Sequence, residues 1–238
     1  MSGRSGQDVR AWPAGGRLRA DAVVFDLDGT LLDTMTAVPV AYVQAIRELG
    51  GPDLTPQELV ASWHLGPTPV LLAHYLERPV TARDLDQFHA RMAAGTAATQ
   101  LFPGIADLLG ALRDDGYALA VYTSATRRGI EPALARTGLR AYFPVVVAGD
   151  EVARPKPAPD GLLDTCRLLG VPAAAAAYVG DAETDLQCAA AAGAIGVHAR
   201  WSPHTVAAPG YPHAAERPDD VRQLLAGSRP GDGAARAE

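Results

Sequence analysis

The sequence predicts an α/β protein with a doubly wound, Rossmann-like, mostly parallel sheet and an inserted all-helical segment. Short apolar segments typical of buried strands alternate with amphipathic helical segments over most of the chain. The alternation stops only between residues 34 and 102, where helical patterns are separated by Gly and Pro. We therefore expect a core built from two parts of the chain and a smaller helical domain between them.

The core elements follow a regular order along the chain. The predicted strands cover residues 22–25, 117–122, 145–148, 176–179 and 194–198. The predicted core helices cover residues 105–114, 126–137, 159–169, 183–192 and 219–225. Three of these helices are followed at once by a glycine, which is the residue that most often ends a helix.

The interrupting segment contains only helical patterns. Its helices are predicted over residues 34–49, 56–62, 67–76 and 81–98. These patterns predict a core domain in two parts, 20–33 and 103–226, with a helical cap domain at 34–102 between them. A flexible N-terminal arm, 1–19, and a disordered tail, 227–238, are predicted at the two ends.

Composition and charge exclude several classes of protein. The 238 residues are 48% hydrophobic, enough to bury a substantial core. The net charge of -6, without a Lys/Arg run, argues against nucleic acid as a partner. We expect no secretion signal, because residues 1–16 lack an apolar core. No apolar stretch approaches the about 20 residues of a membrane span. With only two cysteines, we expect a cytoplasmic protein without a membrane partner; nothing in the sequence predicts its oligomeric state.

Two carboxylates follow the first predicted strand. Asp26 and Asp28 point to the same side because successive strand side chains alternate, and Gly29 comes directly after them. Two carboxylates at the end of a buried strand are costly unless a cation or a proton offsets their repulsion. The pair suits Mg²⁺ binding or a division of nucleophile and acid–base roles. An ordinary Asp-Gly turn is the alternative.

Polar residues also follow the later strands. Thr123 and Ser124 come after the second strand, Lys156 follows the third beyond a loop, and Asp181 and Asp185 follow the fourth. Lys156 is the only lysine, beside 20 arginines, and lysine supplies a compact charge that arginine does not. Parallel strand ends meet at one sheet edge, beside helix N-termini suited to phosphate. Since Mg²⁺ binds carboxylate and phosphate oxygens, the set predicts a phosphoryl-transfer site.

In these motifs the chain resembles the haloacid dehalogenase (HAD) superfamily. Its four motifs occur in order as Asp-x-Asp-Gly-Thr at 26–30, a strand ending in Thr123, Lys156, and Gly-Asp-x-x-x-Asp at 180–185. The resemblance covers residues 21–225 and implies a class I phosphatase, similar to phosphoglycolate phosphatases, with a small helical cap that closes over the site.

The resemblance implies a role for each motif residue. Asp26 would be the nucleophile that forms an aspartyl-phosphate, and Asp28 would protonate the leaving oxygen and then activate water. Mg²⁺ would be held by Asp26, the main-chain carbonyl of Asp28, and Asp181. Lys156 would bridge Asp26 and the phosphate. Asp185, which also belongs to the expected metal-binding set, would support Lys156 or a metal-bound water.

Phosphate binding is implied for a further group of residues. Thr123 and the backbone at Ser124 would hold phosphoryl oxygens, and Gly29 and Thr30 belong to the same phosphate-binding set. The chain departs from the family pattern at Ala182, where many relatives have Ser or Thr. This change removes a hydroxyl but no catalytic acid.

Phosphatase is the function that the motifs favour. Asp28 argues against a dehalogenase, and the absence of lysine from 34–102 argues against a phosphonatase that forms a Schiff base. A β-phosphoglucomutase-like mutase remains an alternative, although the loop at 62–66 lacks the cations that such an enzyme needs. A non-catalytic phosphometabolite-binding protein is the alternative of another class.

The sequence predicts a broad substrate class and a few residues that could contact the substrate. Trp63 and His64 are candidates for leaving-group contacts. The alternatives are that Trp63 packs inside the cap and that His64 is a surface residue. Arg127 and Arg128 could contact a substrate anion or form solvated ion pairs, and Trp201 could line the rim of the site. We expect a small phosphorylated metabolite such as phosphoglycolate, a sugar phosphate or a cyclitol phosphate.

Overall fold

The structure, a computed structural model, describes residues 18–208 and 210–225. The predicted N-terminal arm lies outside these ranges except for its last two residues, and the predicted tail lies wholly outside them. Leu18 is buried, and its backbone N–H donates to the carbonyl of Leu224 at 3.1 Å. The packed core therefore begins two residues earlier than residue 20.

The described strands form one parallel sheet in the order β3-β2-β1-β4-β5-β6. The strands are β1 (Ala22–Phe25), β2 (Ala118–Tyr122), β3 (Val145–Val147), β4 (Ala176–Gly180), β5 (Ile195–Ala199) and β6 (Ala214–Ala215). Phe25 of β1 is in register with Val121 of β2 and Val179 of β4. The carboxyl ends of these three strands therefore lie side by side where the strand order reverses, as ligand sites of such sheets do.

The described residues form helices between most of the strands and in the segment that interrupts them. The helices are α1 (Ala37–Glu48), α2 (Pro56–Ser62), α3 (Thr68–Leu76), α4 (Ala82–Gly95), α5 (Ile105–Asp114), α6 (Arg127–Arg136), α7 (Asp160–Leu169), α8 (Glu183–Ala192) and α9 (Pro218–Leu225). In the described ranges, none of these helices is long and apolar enough to cross a lipid bilayer. The arrangement confirms the predicted α/β fold class.

Both faces of the sheet are covered by helices. On β1, Val23 and Phe25 belong to the cluster shared with α5, α6 and α9. Ala22 and Val24 belong to the opposite cluster, shared with α7 and α8. A strand buried on both faces has a continuous apolar sequence rather than an alternating one. The apolar run at 22–25 therefore identifies β1 as a buried strand from the sequence alone.

Helices α1 to α4 pack around a hydrophobic cluster of their own. Its buried members are Tyr42, Ala45, Ile46, Leu59, Leu71, Leu72 and Phe88. Local sequence sets two of the helix starts, because Thr55 with Glu58 and Thr81 with Asp84 form reciprocal capping boxes. The separate cluster supports the proposed division of 34–102, hereafter the helical insertion, from the core.

Two adjacent chain segments connect the helical insertion to the core. Leu32 forms an antiparallel bridge with Leu101. The backbone N–H of Asp33 donates to the carbonyl of Gln100 at 3.0 Å. The entry and exit of the insertion are therefore joined to each other, directly after the segment that carries the two candidate catalytic aspartates.

The structure differs from the sequence prediction mainly at element ends. Strand β6 was not predicted, because two residues that pair with His198 and Ala199 are too few to show a hydrophobic pattern. Helix α1 begins at residue 37 rather than 34, since the preceding residues belong to the connection. Helix α4 ends at residue 95 rather than 98.

Gly161 of α7 gives room to an aromatic ring beside the candidate site. A Cβ atom at this position would lie 2.2 Å from the ring of Tyr122. We expect Gly161→Ala to lower the free energy of unfolding by about 1–3 kcal/mol through overpacking. Urea denaturation with Gly110→Ala as the control measures this, because nothing lies within 4 Å of a Cβ there and Ala favours a helix interior. Equal stability of the two variants would contradict the packing argument.

Candidate active site

Lys156 lies between two of the predicted aspartates. Its Nζ donates to Oδ1 of Asp26 at 2.8 Å and to Oδ1 of Asp185 at 2.6 Å. The lysine side chain is only 5% exposed. Asp26 follows β1, Asp185 lies in the first turn of α8, and Lys156 lies in the loop before α7. The fold therefore joins three residues that are widely separated in sequence.

Asp181 completes the carboxylate group. Ligand oxygens of Asp26, Asp181 and Asp185 lie within 4.8 Å of one another. The hydroxyl of Thr30 donates to Oδ1 of Asp181 at 2.9 Å. Thr30 is fully buried, and its hydroxyl orients Asp181. Its place in the phosphate-binding set stays a prediction.

Gly29 is required beside this carboxylate for two reasons. Its φ of 80° lies in the left-handed region, which side chains rarely adopt. A Cβ atom there would also lie 2.4 Å from Oδ2 of Asp181. The glycine of the Asp-x-Asp-Gly-Thr motif thus lets the backbone turn closely against the carboxylate. Its part in phosphate binding stays a prediction.

Burial and repulsion by neighbouring carboxylates raise the pKa values of Asp26 and Asp181. The pKa of Asp26 lies well above its usual value because of burial and of the neighbouring Asp185 and Asp181, although Lys156 opposes the shift. Burial first, and then Asp185, raises the pKa of Asp181 to about 7. Burial also opposes the charge on Lys156, but Asp185 and Asp26 outweigh it and raise the lysine pKa.

The charge balance of the site fits a divalent cation. Three buried carboxylates face one ammonium group, which leaves uncompensated negative charge if all of them are ionised. Hard cations take carboxylate oxygens as ligands. Both oxygens of Asp185 already accept protein hydrogen bonds, Oδ1 from Lys156 and Oδ2 from the Ala182 N–H at 3.0 Å. This favours the role of Asp185 as a support for Lys156 over its role as a metal ligand.

Asp28 has an environment different from that of Asp26. Its side chain is half-buried, and burial raises its pKa, against the opposing effects of Thr34 and Lys156. A carboxyl group with a raised pKa holds its proton closer to neutral pH and is a better general acid. This is the property that the leaving-group role requires.

The loop after β2 presents Thr123 and Ser124 at the same sheet edge. Thr123 is buried, and its hydroxyl oxygen accepts the N–H of Ala125 at 3.2 Å. Ser124 is exposed, and its carbonyl lies so near Gly149 that a Cβ atom there would approach it to 2.3 Å. Helix α6 begins three residues later, so its N-terminus lies close to this loop.

The two arginines of α6 form ion pairs. Arg127 donates to Glu151 at 2.7 Å and to Glu131 at 3.1 Å, and Arg128 pairs with Asp86 of α4. These contacts agree with the ion-pair interpretation rather than with substrate-anion binding.

A second polar contact joins α4 of the helical insertion to the core. His89 Nδ1 lies 2.7 Å from the carbonyl of Leu85, which can only accept, so Nδ1 carries a hydrogen. In the neutral ring Nε2 is then an acceptor, and the hydroxyl of Thr126 donates to it at 2.8 Å. Thr126 is three residues beyond Thr123, so the insertion contacts the core next to the candidate phosphate loop.

Trp63 is half-buried and packs against the hydrophobic cluster of the helical insertion. This packing supports the alternative given for it, while part of the ring stays exposed. The side chain of His64 lies outside the part of the structure that is described.

Two aromatic residues have site contacts that the sequence motifs did not reveal. The indole N–H of Trp201 donates to the carbonyl of Thr30 at 2.9 Å, which holds the motif loop and goes beyond the rim position expected for this residue. The hydroxyl of Tyr178 lies 3.2 Å from Oδ1 of Asp185. A tyrosine in the predicted strand, two residues before Gly180-Asp181, was the available indication, but only the packed structure shows its partners.

Comparison with known proteins assigns the family. The sequence profile of haloacid dehalogenase-like hydrolases matches residues 23–198, which include all four motifs. The chain belongs to the haloacid dehalogenase-like hydrolases. Its curated relatives narrow the assignment further, and within the family the chain is a phosphatase.

The relatives cover most of the chain. The plasmid-encoded phosphoglycolate phosphatase of Cupriavidus necator is 39% identical over 183 residues, covering 74% of this chain and 79% of the relative. The phosphoglycolate phosphatase of Pseudomonas savastanoi pv. phaseolicola is 33% identical over 218 residues, covering 86% and 78%. The crystal structure of CbbY from Rhodobacter sphaeroides in complex with phosphate is 26% identical, with a TM-score of 0.72 and coverage of 88% and 97%.

The raised pKa of Asp181 predicts how stability of the metal-free protein depends on pH. A carboxyl with a folded-state pKa of about 7 instead of 3.8 contributes stability below its unfolded pKa, and that contribution is lost as pH rises through about 7. We therefore expect the Tm of the metal-free protein to fall between about pH 4 and 7, and MgCl₂ to restore it at the upper pH.

Differential scanning calorimetry of wild type and Asp181→Asn checks this expectation. Asparagine retains an acceptor for Thr30 but does not titrate, so the fall in Tm and the rescue by MgCl₂ should both be smaller in the variant. The same pH slope in both proteins would show that Asp181 does not titrate in this range.

Proposed function

We propose that this protein is a Mg²⁺-dependent phosphomonoester hydrolase that acts on a small phosphorylated metabolite through an aspartyl-phosphate intermediate. The observation that best supports this proposal is the hydrogen bond from Lys156 to Oδ1 of Asp26, at 2.8 Å. A buried carboxylate held by an ammonium group is positioned to attack phosphorus while the same ammonium group contacts a phosphoryl oxygen.

The proposed reaction has two displacement steps. In the first, an Asp26 oxygen forms a bond to phosphorus as the ester oxygen leaves, and Asp28 gives that oxygen a proton. In the second, Asp28 removes a proton from water, and the water oxygen displaces Asp26 from phosphorus. The raised pKa of Asp28, caused by its burial, supports the proton-donor role at neutral pH.

Three kinds of group are proposed to stabilise the negative charge of the phosphoryl group. Lys156 supplies a positive charge, Thr123 a hydroxyl, and the loop at Ser124 backbone N–H groups near the N-terminus of α6. Asp26, Asp181 and the main-chain carbonyl of Asp28 would hold Mg²⁺. The cation would neutralise negative charge on the carboxylates and the phosphoryl group.

The proposed substrates are phosphoglycolate, a sugar phosphate or a cyclitol phosphate. Two curated relatives that cover more than 70% of this chain are phosphoglycolate phosphatases, which supports a small anionic or hydroxylated leaving group. The helical insertion, joined to the core next to the Thr123 loop, is proposed to cover this leaving group and exclude water.

Replacement of the nucleophile tests the proposed reaction. We expect wild type to release phosphate from p-nitrophenyl phosphate only with Mg²⁺, and Asp26→Asn to lower kcat by at least about a thousandfold. Asp33→Asn is the matched control, because Asp33 is an exposed carboxylate in the same segment, and its kcat should stay within about twofold. Phosphate release that persists in Asp26→Asn would overturn the aspartyl-phosphate route.

We also propose that the exposed part of Trp63 contacts the leaving group. In that case Trp63→Ala should change the ratio of kcat/KM for phosphoglycolate to that for a sugar phosphate by more than about threefold. Trp63→Phe keeps an aromatic ring against the insertion cluster and serves as the packing control. An unchanged ratio in Trp63→Ala would leave this residue with a packing role alone.

A further inference from the structure

We infer that Tyr178 is a positioning residue for this reaction. Its phenol hydroxyl holds Asp185 and, through Asp185, Lys156, and it links both to the strand end that carries Thr123. The inference rests on the proposed function, because it assigns Tyr178 to the same phosphoryl-transfer site.

The hydroxyl of Tyr178 lies between two acceptors. Tyr178 is fully buried in β4, and its oxygen is 2.9 Å from the carbonyl oxygen of Tyr122 and 3.2 Å from Oδ1 of Asp185. A phenol has a single O–H proton, so the two acceptors share it. Tyr122 is the last residue of β2, directly before Thr123. One hydroxyl therefore connects the end of β2 with the first turn of α8.

Three donors fix the orientation of the Asp185 carboxylate. Oδ1 accepts from Lys156 at 2.6 Å and from Tyr178, and Oδ2 accepts from the Ala182 N–H at 3.0 Å. Without the phenol hydroxyl, the lysine is the single remaining donor to Oδ1 among the described residues. The carboxylate is then less restrained against rotation about its Cβ–Cγ bond, which shifts the acceptor of the ammonium group.

The tyrosine rings also confine the lysine laterally. Nζ of Lys156 is 5.5 Å from the ring centroid of Tyr122 and 5.8 Å from that of Tyr178. The two rings are stacked with centroids 6.0 Å apart. Two lysine N–H groups are directed to Asp26 and Asp185, which leaves the third for a phosphoryl oxygen. A shift of about 1 Å in this ammonium group would cost much of the rate.

Tyr178→Phe tests the inference because it keeps the ring and removes the hydroxyl alone. We expect kcat for p-nitrophenyl phosphate to fall about tenfold, the loss typical of one hydrogen bond to a charged group. KM should stay within about twofold, while the inhibition constant of orthovanadate, a transition-state analogue, should rise about tenfold.

Tyr117→Phe is the control for the structural cost. Tyr117 is also buried, and its hydroxyl donates to the carbonyl of Leu225 at 3.1 Å, outside the site. Both variants lose a buried hydroxyl-to-carbonyl hydrogen bond and should lose Tm to a similar degree. Only Tyr178→Phe should change kcat and the orthovanadate constant.

A double-mutant cycle tests whether Tyr178 acts through Asp185. Added to Asp185→Asn, the Tyr178→Phe substitution should lower kcat by less than about twofold. A full tenfold loss in that background, unchanged kinetics of Tyr178→Phe, or equal losses in Tyr117→Phe would each overturn the inference. Failure of the proposed function is recognised separately, because wild type and Asp26→Asn would then have the same activity.

Discussion

The buried contact of Lys156 with Asp26 and Asp185 is the interaction on which the site depends. Removing charges from water costs several kcal/mol per ion, and only close, hydrogen-bonded partners offset that cost. The lysine side chain is 5% exposed and has two carboxylate partners within 2.8 Å. Loss of Lys156 would leave the buried carboxylates without a cation, and loss of either carboxylate would remove an acceptor that fixes the ammonium group. Each of the three residues therefore constrains the other two.

The sheet makes this contact possible by bringing distant segments to one edge. Asp26 follows β1 and Asp181 follows β4, and these strands are direct neighbours in register. Glycine at two motif positions permits the close approach, since a Cβ atom at Gly29 or Gly180 would lie 2.4 Å from a carboxylate oxygen. The motif glycines therefore serve the packing of the acids as much as the turns of the backbone.

The described contacts between the helical insertion and α6 include polar ones, in contrast to the apolar cluster inside the insertion. Its own cluster is apolar, whereas the described contacts with α6 include the Arg128–Asp86 ion pair and the His89–Thr126 hydrogen bond. Exposed ion pairs contribute only about 0–1 kcal/mol. The described connections and polar contacts therefore join the insertion to the core next to the loop that carries Thr123.

The sequence by itself determined the fold class, most elements and the residues of the central site. Buried parallel strands have continuous apolar sequences, and the family motifs sit at fixed places on strand ends, so Asp26, Lys156 and Asp181 could be named from residue order alone. Only the tertiary structure decided the contacts made across the fold. The hydroxyl of Thr30 faces Asp181, Trp201 holds the Thr30 carbonyl, and Tyr178 reaches Asp185. Such side-chain directions depend on packing between segments more than 100 residues apart in the first two cases, and no local pattern encodes them.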